Sequence, residues 1–316
     1  MLSDSAEQGV SVRSRKIVDE DLGGVASSSG TSAGDDRNIV FPASGKEVNL
    51  GAGGVDGIED EVRSVGKKKF FGSSFAVKRL VDSDSGQIYW NGGGVWVRPR
   101  AEGQTEMEYQ MRNWYYFNWL CGDHIVEQHV HNIDVMNWFK GGPPVKAQGM
   151  GGREVRKGKD HGEIYDHHYV EFTFADGSVM NSQCRHIRGA MNRVTEVIGC
   201  QKGKAYPGRI VDSNGKTVWR FQGKKNDPYQ TEHDVLYQRI RENKPINNAY
   251  YTAASTMTAI LGRMATYSGK ELKYEDALNS KISIMPKVYA WDADPGPKAG
   301  PDGIYPAPVP GKHKVI

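Results

Sequence analysis

The segment "EIYDHHYVEFTFADGSVMNSQCRHI", Glu163 to Ile187, most restricts what this chain can fold into. Two runs rich in β-branched and aromatic residues flank Asp176 and Gly177, the residue pair best able to supply the positive φ angles of a tight hairpin. "RIVDSNGKTVWRF" repeats the device at Asn214 and Gly215, and "VTEVIGCQKG" adds another strand. Antiparallel strands joined by short turns need one apolar face covered. The covering elements follow as "YQTEHDVLYQRIREN" and "YYTAASTMTAILGRMATYSG", whose periodicity is helical and the second of which stops at Gly269. The class is therefore α+β: an open, mainly antiparallel sheet with helices on one face.

Composition divides the 316 residues into three parts. Residues 1–85 are rich in Gly, Ser and Asp and poor in aromatics, and up to Arg37 they offer little to a packed core. Residues 86–285 form the α+β domain, opening with "YWNGGGVWVRPR". Residues 286–316 are dominated by Pro and Gly and are expected to run as an extended surface tail.

A net charge of +3 gives no strong attraction to phosphate backbones or anionic lipid, so neither nucleic acid nor membrane is expected as a partner. The three cysteines lack CxxC spacing, which argues against a disulfide framework and a thiolate zinc site. No apolar run is long enough to span a bilayer and the start lacks a secretory signal, so the chain as written is expected in the cytoplasm.

"CGDHIVEQHVHNIDVMNWF", Cys121 to Phe139, reads as one amphipathic helix. On a wheel, His124, Glu127, His131 and Asp134 share a polar stripe opposite Val126, Val130 and Ile133. His129 falls on the apolar side and is expected to be a core histidine whose ring nitrogens find local partners. Glu127 stands four residues before His131, within reach across one turn. It can orient the imidazole for general acid/base work. A solvated helix face is the competing explanation. Zinc or iron could also use His124, Glu127 and His131, but no HExxH signature is present and no metal is expected.

With Asp176 and Gly177 as the two turn residues, His168 would pair with Arg185 and His167 with His186, on opposite faces. Val170, Phe172, Phe174 and Val179 mark a core face, leaving Tyr165, His167, Tyr169 and His186 outward. The other end of the hairpin is ambiguous. Either set could hold a polar ligand, or Asp166, His168 and Arg185 could form a buried salt-linked group.

From about Gly86 onward the chain resembles the second domain of the glucose-fructose oxidoreductase / inositol dehydrogenase (Gfo/Idh/MocA) family. The resemblance lies in "YWNGGGVWVRPR", "RNWYYFNWLCGDHIVEQHVHNIDVMNW", "IYDHHYVEFTFADGSVMNSQCRHI" and "GPDGIYPAPVPG". It implies a sugar or polyol oxidoreductase using NAD or NADP, with His131 as acid/base and Glu127 at a position where aspartate is usual. It further implies a substrate site drawn from Asp123, His124, Trp96, Arg98, Tyr115, His167, His168, Arg185 and His186, and a homo-oligomer formed through the sheet.

The family's Rossmann domain and its Glu-Lys-Pro lysine have no counterpart here. Gly51, Gly53 and Gly57 in "GKEVNLGAGGVDGIEDEVRS" have the wrong spacing for a dinucleotide turn, and "GAG" stands where the lysine belongs. About 85 residues are also too few for a doubly wound domain of roughly 120. The expectation is a truncated chain with a vestigial cofactor domain, weak for NAD or NADP and without turnover alone. The alternative is a non-catalytic carbohydrate-binding or oligomerisation module.

Overall fold

The computed structural model describes residues 38–40, 47–49, 83–223 and 227–316. Strands β1 (Asn38–Val40) and β2 (Glu47–Asn49) pair antiparallel. The expected disorder of residues 1–37 and the remnant nucleotide turn at residues 51–57 lie outside the described residues.

β3 (Ser83–Gly92) opens the main sheet, three residues earlier than composition placed the domain start. Helix α1 (Glu106–Arg112) follows. The Thr105 hydroxyl accepts the Glu108 N–H while the Glu108 carboxylate accepts the Thr105 N–H, a capping box that fixes its start. A 3₁₀ turn at Trp114–Tyr116 leads into α2 (Asn118–Cys121), α3 (His124–Glu127) and α4 (Val130–Lys140). The one helix read from the sequence is thus three. Gly122 and Asp123 both take φ of 72°, and a left-handed pair cannot continue a right-handed helix. The chain turns again at Gln128 and His129, where the His129 N–H reaches the His124 carbonyl instead of the next one along.

β4 (Lys146–Gly152), β5 (His167–Thr173), β6 (Val179–His186), β7 (Arg193–Cys200), β8 (Gly203–Tyr206), β9 (Arg209–Asp212) and β10 (Thr217–Arg220) follow. Then come α5 (Pro228–Arg241), α6 (Ala249–Ser268), β11 (Leu272–Lys273) and α7 (Tyr274–Leu278). The nine-stranded sheet has the order β10-β9-β8-β7-β3-β6-β5-β4-β11. Only the β3–β6 pair is parallel. The expected Gly269 cap is present at φ 68°.

The hairpin register differs from the expected one by a single residue. His167 faces Arg185 and His168 faces Cys184, because Phe174 and Ser178 still pair and the loop is Ala175-Asp176-Gly177 with Gly177 at φ 82°. A loop one residue longer moves every partner by one place. His168, Val170, Phe172, Phe174, Met180, Ser182, Cys184 and His186 consequently share the buried face. His186 was expected outward and Val179 inward; both expectations are reversed.

α4 and α6 cover that face. Ile88, Val170, Phe172, Met180 and Ile198 from the strands meet Ile133, Met136, Leu261 and Ala265 from the helices. Each such side chain contributes about 1.5–3 kcal/mol on full burial. A second cluster of Tyr109, Tyr115, Tyr116, Phe117, Trp119 and Tyr305 packs at the β3 end. The tail from Ser280 has neither helix nor strand, as its prolines demand, yet it does not merely lie on the surface. Tyr305 is 1 % exposed, its carbonyl accepts Arg153 Nη1, and the Pro308 carbonyl accepts the Tyr165 hydroxyl. Among the described residues no helix is long and apolar enough to cross a membrane.

Candidate active site

The break before α3 is organised by Asp123. Its backbone, φ 72° and ψ 160°, lies in a region that costs a non-glycine residue about 1–3 kcal/mol. Fully buried, its carboxylate has four hydrogen-bond partners and a fifth polar neighbour in His168. Oδ1 accepts the His124 N–H and faces His124 Nδ1 at 2.7 Å; Oδ2 accepts the Tyr165 N–H at 3.0 Å and the Tyr267 hydroxyl at 2.7 Å and faces His168 Nε2 at 3.2 Å. Burial alone would raise this carboxyl, but the imidazoles of His168 and His124 outweigh it and hold it well below the usual carboxylate range. Burial in turn pushes His124 down to about 4, against the pull of Asp123.

Asp123, His124 and His168 bring potential metal-ligand atoms within 4.8 Å of one another. Those atoms are spent on each other, so the trio is a tie between α3, β5 and α6. None of the three is exposed by more than 3 %. All three are sealed from solvent, and His124 leaves the polar stripe because the helix breaks beneath it.

His186 stacks on His124 with ring centroids 4.8 Å apart, and Tyr115 covers it at 5.8 Å. Arg156 Nη2 lies 2.6 Å from His186 Nδ1, and His186 Nε2 lies 2.9 Å from Gln128 Oε1. The indole of Trp90, on β3, also donates to Gln128 Oε1 at 2.8 Å. Burial, with His124 and Arg156 alongside, pushes His186 to about 2.

Above this buried network stands His131, the exposed histidine of the segment, with its ring 5.8 Å from that of Trp90. His129 is fully buried, Nδ1 at 3.1 Å from Asn132 Oδ1 and Nε2 at 2.8 Å from Ser182 Oγ, as a core histidine should be. Glu127 and His131 form no ion pair among the described residues, because the turn at Gln128 and His129 removes the i, i+4 geometry. The Glu127 carboxylate instead lies by the Tyr115 hydroxyl, which burial and that carboxylate push far up.

The remaining candidates divide between two places. Trp96 is 36 % exposed, edge-on to Tyr115 at 6.4 Å, with the Arg98 guanidinium 4.4 Å above its ring. Both belong to the same rim as Tyr115. His167 and Arg185 pair on the open face of the sheet, away from His131; His167 is held by Asp166 and Arg185 donates to the Met191 carbonyl. The expected Asp166/His168/Arg185 group does not form, since the register slip places His168 on the other face. Trp90, Gln128, Arg156 and Tyr267 escaped sequence reasoning. Gln128 alone had a signal, as a polar side chain next to the His131 turn; Arg156 sits in a loop without periodicity.

Residues 77–206 match the GFO/IDH/MocA C-terminal domain family. The match covers 130 of the 316 residues. Solved structures resemble the chain at low identity. UDP-N-acetylglucosamine 3-dehydrogenase from Acidithiobacillus ferrooxidans is 13 % identical with a TM-score of 0.46, over 64 % of this chain and 60 % of that one. Aldose-aldose oxidoreductase from Caulobacter crescentus, complexed with glycerol, is 12 % identical with a TM-score of 0.48, over 69 % and 60 %. Myo-inositol 2-dehydrogenase from Lactobacillus plantarum is 13 % identical with a TM-score of 0.43, over 68 % and 63 %. The chain thus spans less than two thirds of the length of these relatives. No curated protein matches it. The matched segment contains Trp90, Gln128, His131, Arg156 and His186, so this part of the buried network and the exposed histidine above it lie within one match.

Proposed function

We propose that this domain is the substrate half of a nicotinamide-dependent sugar or polyol oxidoreductase of the GFO/IDH/MocA type, with His131 exchanging the proton of the reacting hydroxyl. One observation carries the reading: of the three histidines between Asp123 and Asn132, only His131 is exposed, and it rests on Trp90, whose indole is tied through Gln128 to the buried His186. A solvent-accessible imidazole held by rigid packing suits general acid/base work. Trp96 offers aromatic surface for the apolar face of a sugar ring, and Arg98 a donor for its oxygens. Glu127 supplies negative charge one turn before His131.

The described residues do not fit a nicotinamide dinucleotide. β3 ends on Gly92, and Gly93 and Gly94 follow it, but loop rather than helix continues as far as Thr105, so no helix N-terminus is presented there to a pyrophosphate. Binding of that group falls to residues or chains beyond those described. The same observation supports a second reading, a carbohydrate-binding or oligomerisation module without turnover. Met150, 71 % exposed on the open sheet face, suits a second copy docking there.

The test is reduction of NAD⁺ or NADP⁺ across a panel of aldoses and cyclitols with an intact nucleotide-binding domain placed ahead of Ser83, followed at the absorbance of the reduced nicotinamide. Turnover abolished by His131→Ala supports the oxidoreductase. Sugar binding without turnover selects the module.

A further inference from the structure

The geometry points to Gln128 as a fixed hydrogen-bond donor to a substrate oxygen, a role that rests on the reading of His131 above. Carboxamide oxygen and nitrogen are interchangeable in shape, and imidazole has two tautomers, so each needs a chemical argument. Two residues that can only donate supply it. Arg156 Nη2, 2.6 Å from His186 Nδ1, requires that nitrogen to accept, which places the ring proton of the neutral imidazole on Nε2. His186 Nε2 then donates to the Gln128 side chain at 2.9 Å. Trp90 Nε1, which has no lone pair to offer, donates to the same Gln128 atom at 2.8 Å. That atom is therefore Oε1, held from two sides, and the amide NH₂ must point the other way.

The anchors are themselves immobile. Arg156 and His186 are 3 % and 5 % exposed; Arg156 Nη1 also donates to the Tyr165 carbonyl at 2.7 Å, and His186 is sandwiched between His124 and Tyr115. The outward Nε2 of Gln128 has no hydrogen-bond partner among the described residues and is not sealed from solvent. It lies in the turn that starts the His131 helix, with the His131 N–H on the Gln128 carbonyl at 3.2 Å. The ligand it suits offers an oxygen with free lone pairs beside the group whose proton His131 exchanges: a sugar or polyol hydroxyl, or the carbonyl formed from it. A donor preset in direction loses little entropy on binding, so Gln128 orients substrate at low cost.

The test follows the side-chain amide of Gln128 in the full chain by ¹H–¹⁵N correlation, its resonance pair identified by loss in Gln128→Glu. Myo-inositol and D-glucose are the probes, and the His131 ring, identified with His131→Asn, is read in parallel. Gln128→Glu still gives Trp90 and His186 an acceptor and replaces only the outward NH₂ by oxygen. The expected result is that a probe shifts the Gln128 amide pair, and that Gln128→Glu weakens its binding about tenfold with the unfolding midpoint unchanged. A probe that moves the His131 ring but not the Gln128 amide overturns the assignment and leaves the reading of His131 standing. If neither probe binds, both fall.

Discussion

The Tyr267 hydroxyl on α6 donates to Asp123 Oδ2 at 2.7 Å, joining residues 144 positions apart where neither is more than 1 % exposed. The bond fastens the longest helix to the strained turn that opens the site. Tyr267→Phe removes one of four hydrogen bonds to a buried charge and should cost about 1.5–3 kcal/mol. Asp123→Asn faces donors with an NH₂ and should cost more, on the order of 3–5 kcal/mol. Urea unfolding by circular dichroism measures both; equal, sub-kilocalorie losses would mean that Asp123 is not the hub.

Stability should fall with acid well before carboxylates titrate. His124 is pushed from an unfolded value of about 6.5 to about 4 by burial, and His186 to about 2. Between the unfolded and folded values the unfolded chain binds more protons, so the stabilisation is complete above pH ~6.5 and is lost as pH falls toward the folded values. Asp123, whose carboxyl is also depressed, acts in the same direction at lower pH. Calorimetric unfolding midpoints should drop steadily from neutral pH to about 4, and should drop less in His186→Gln.

Gly149, on β4, permits the sheet to lie close beneath α6. A Cβ there would sit 2.4 Å from the Tyr169 carbonyl and 3.1 Å from Thr266 Cγ2. Gly149→Ala should destabilise by about 1–3 kcal/mol despite removing glycine's excess chain entropy. Gly142→Ala, with nothing within 4 Å, serves as the comparison and should change little.

His129→Asn separates core from chemistry. It leaves Ser182 or Asn132 without its imidazole partner and opens space in a fully buried position, so thermal unfolding should shift down while the His131 ring resonances stay in place.

The hairpins, the order of strands before helices and the Gly269 cap were legible because each depends on local turn and periodicity chemistry. The His129 assignment was legible for the same reason, from its place on the wheel. What escaped depended on single backbone events. A loop one residue longer than the shortest reverses His186 from outward to buried. Asp123 in the left-handed region breaks a helix that its sequence periodicity would continue, and the second turn, at Gln128 and His129, parts Glu127 from His131. The ties from Arg156, Tyr267 and Trp90 join loop, late helix and first strand, and no spacing rule connects such residues.

The most direct test of the account is kcat for sugar oxidation by His131→Ala, measured with an intact nucleotide-binding domain placed ahead of Ser83. General acid/base catalysis contributes typically 10²- to 10⁴-fold, so kcat should fall by that order with nucleotide affinity unchanged. Turnover at the parental rate would contradict the assignment of His131.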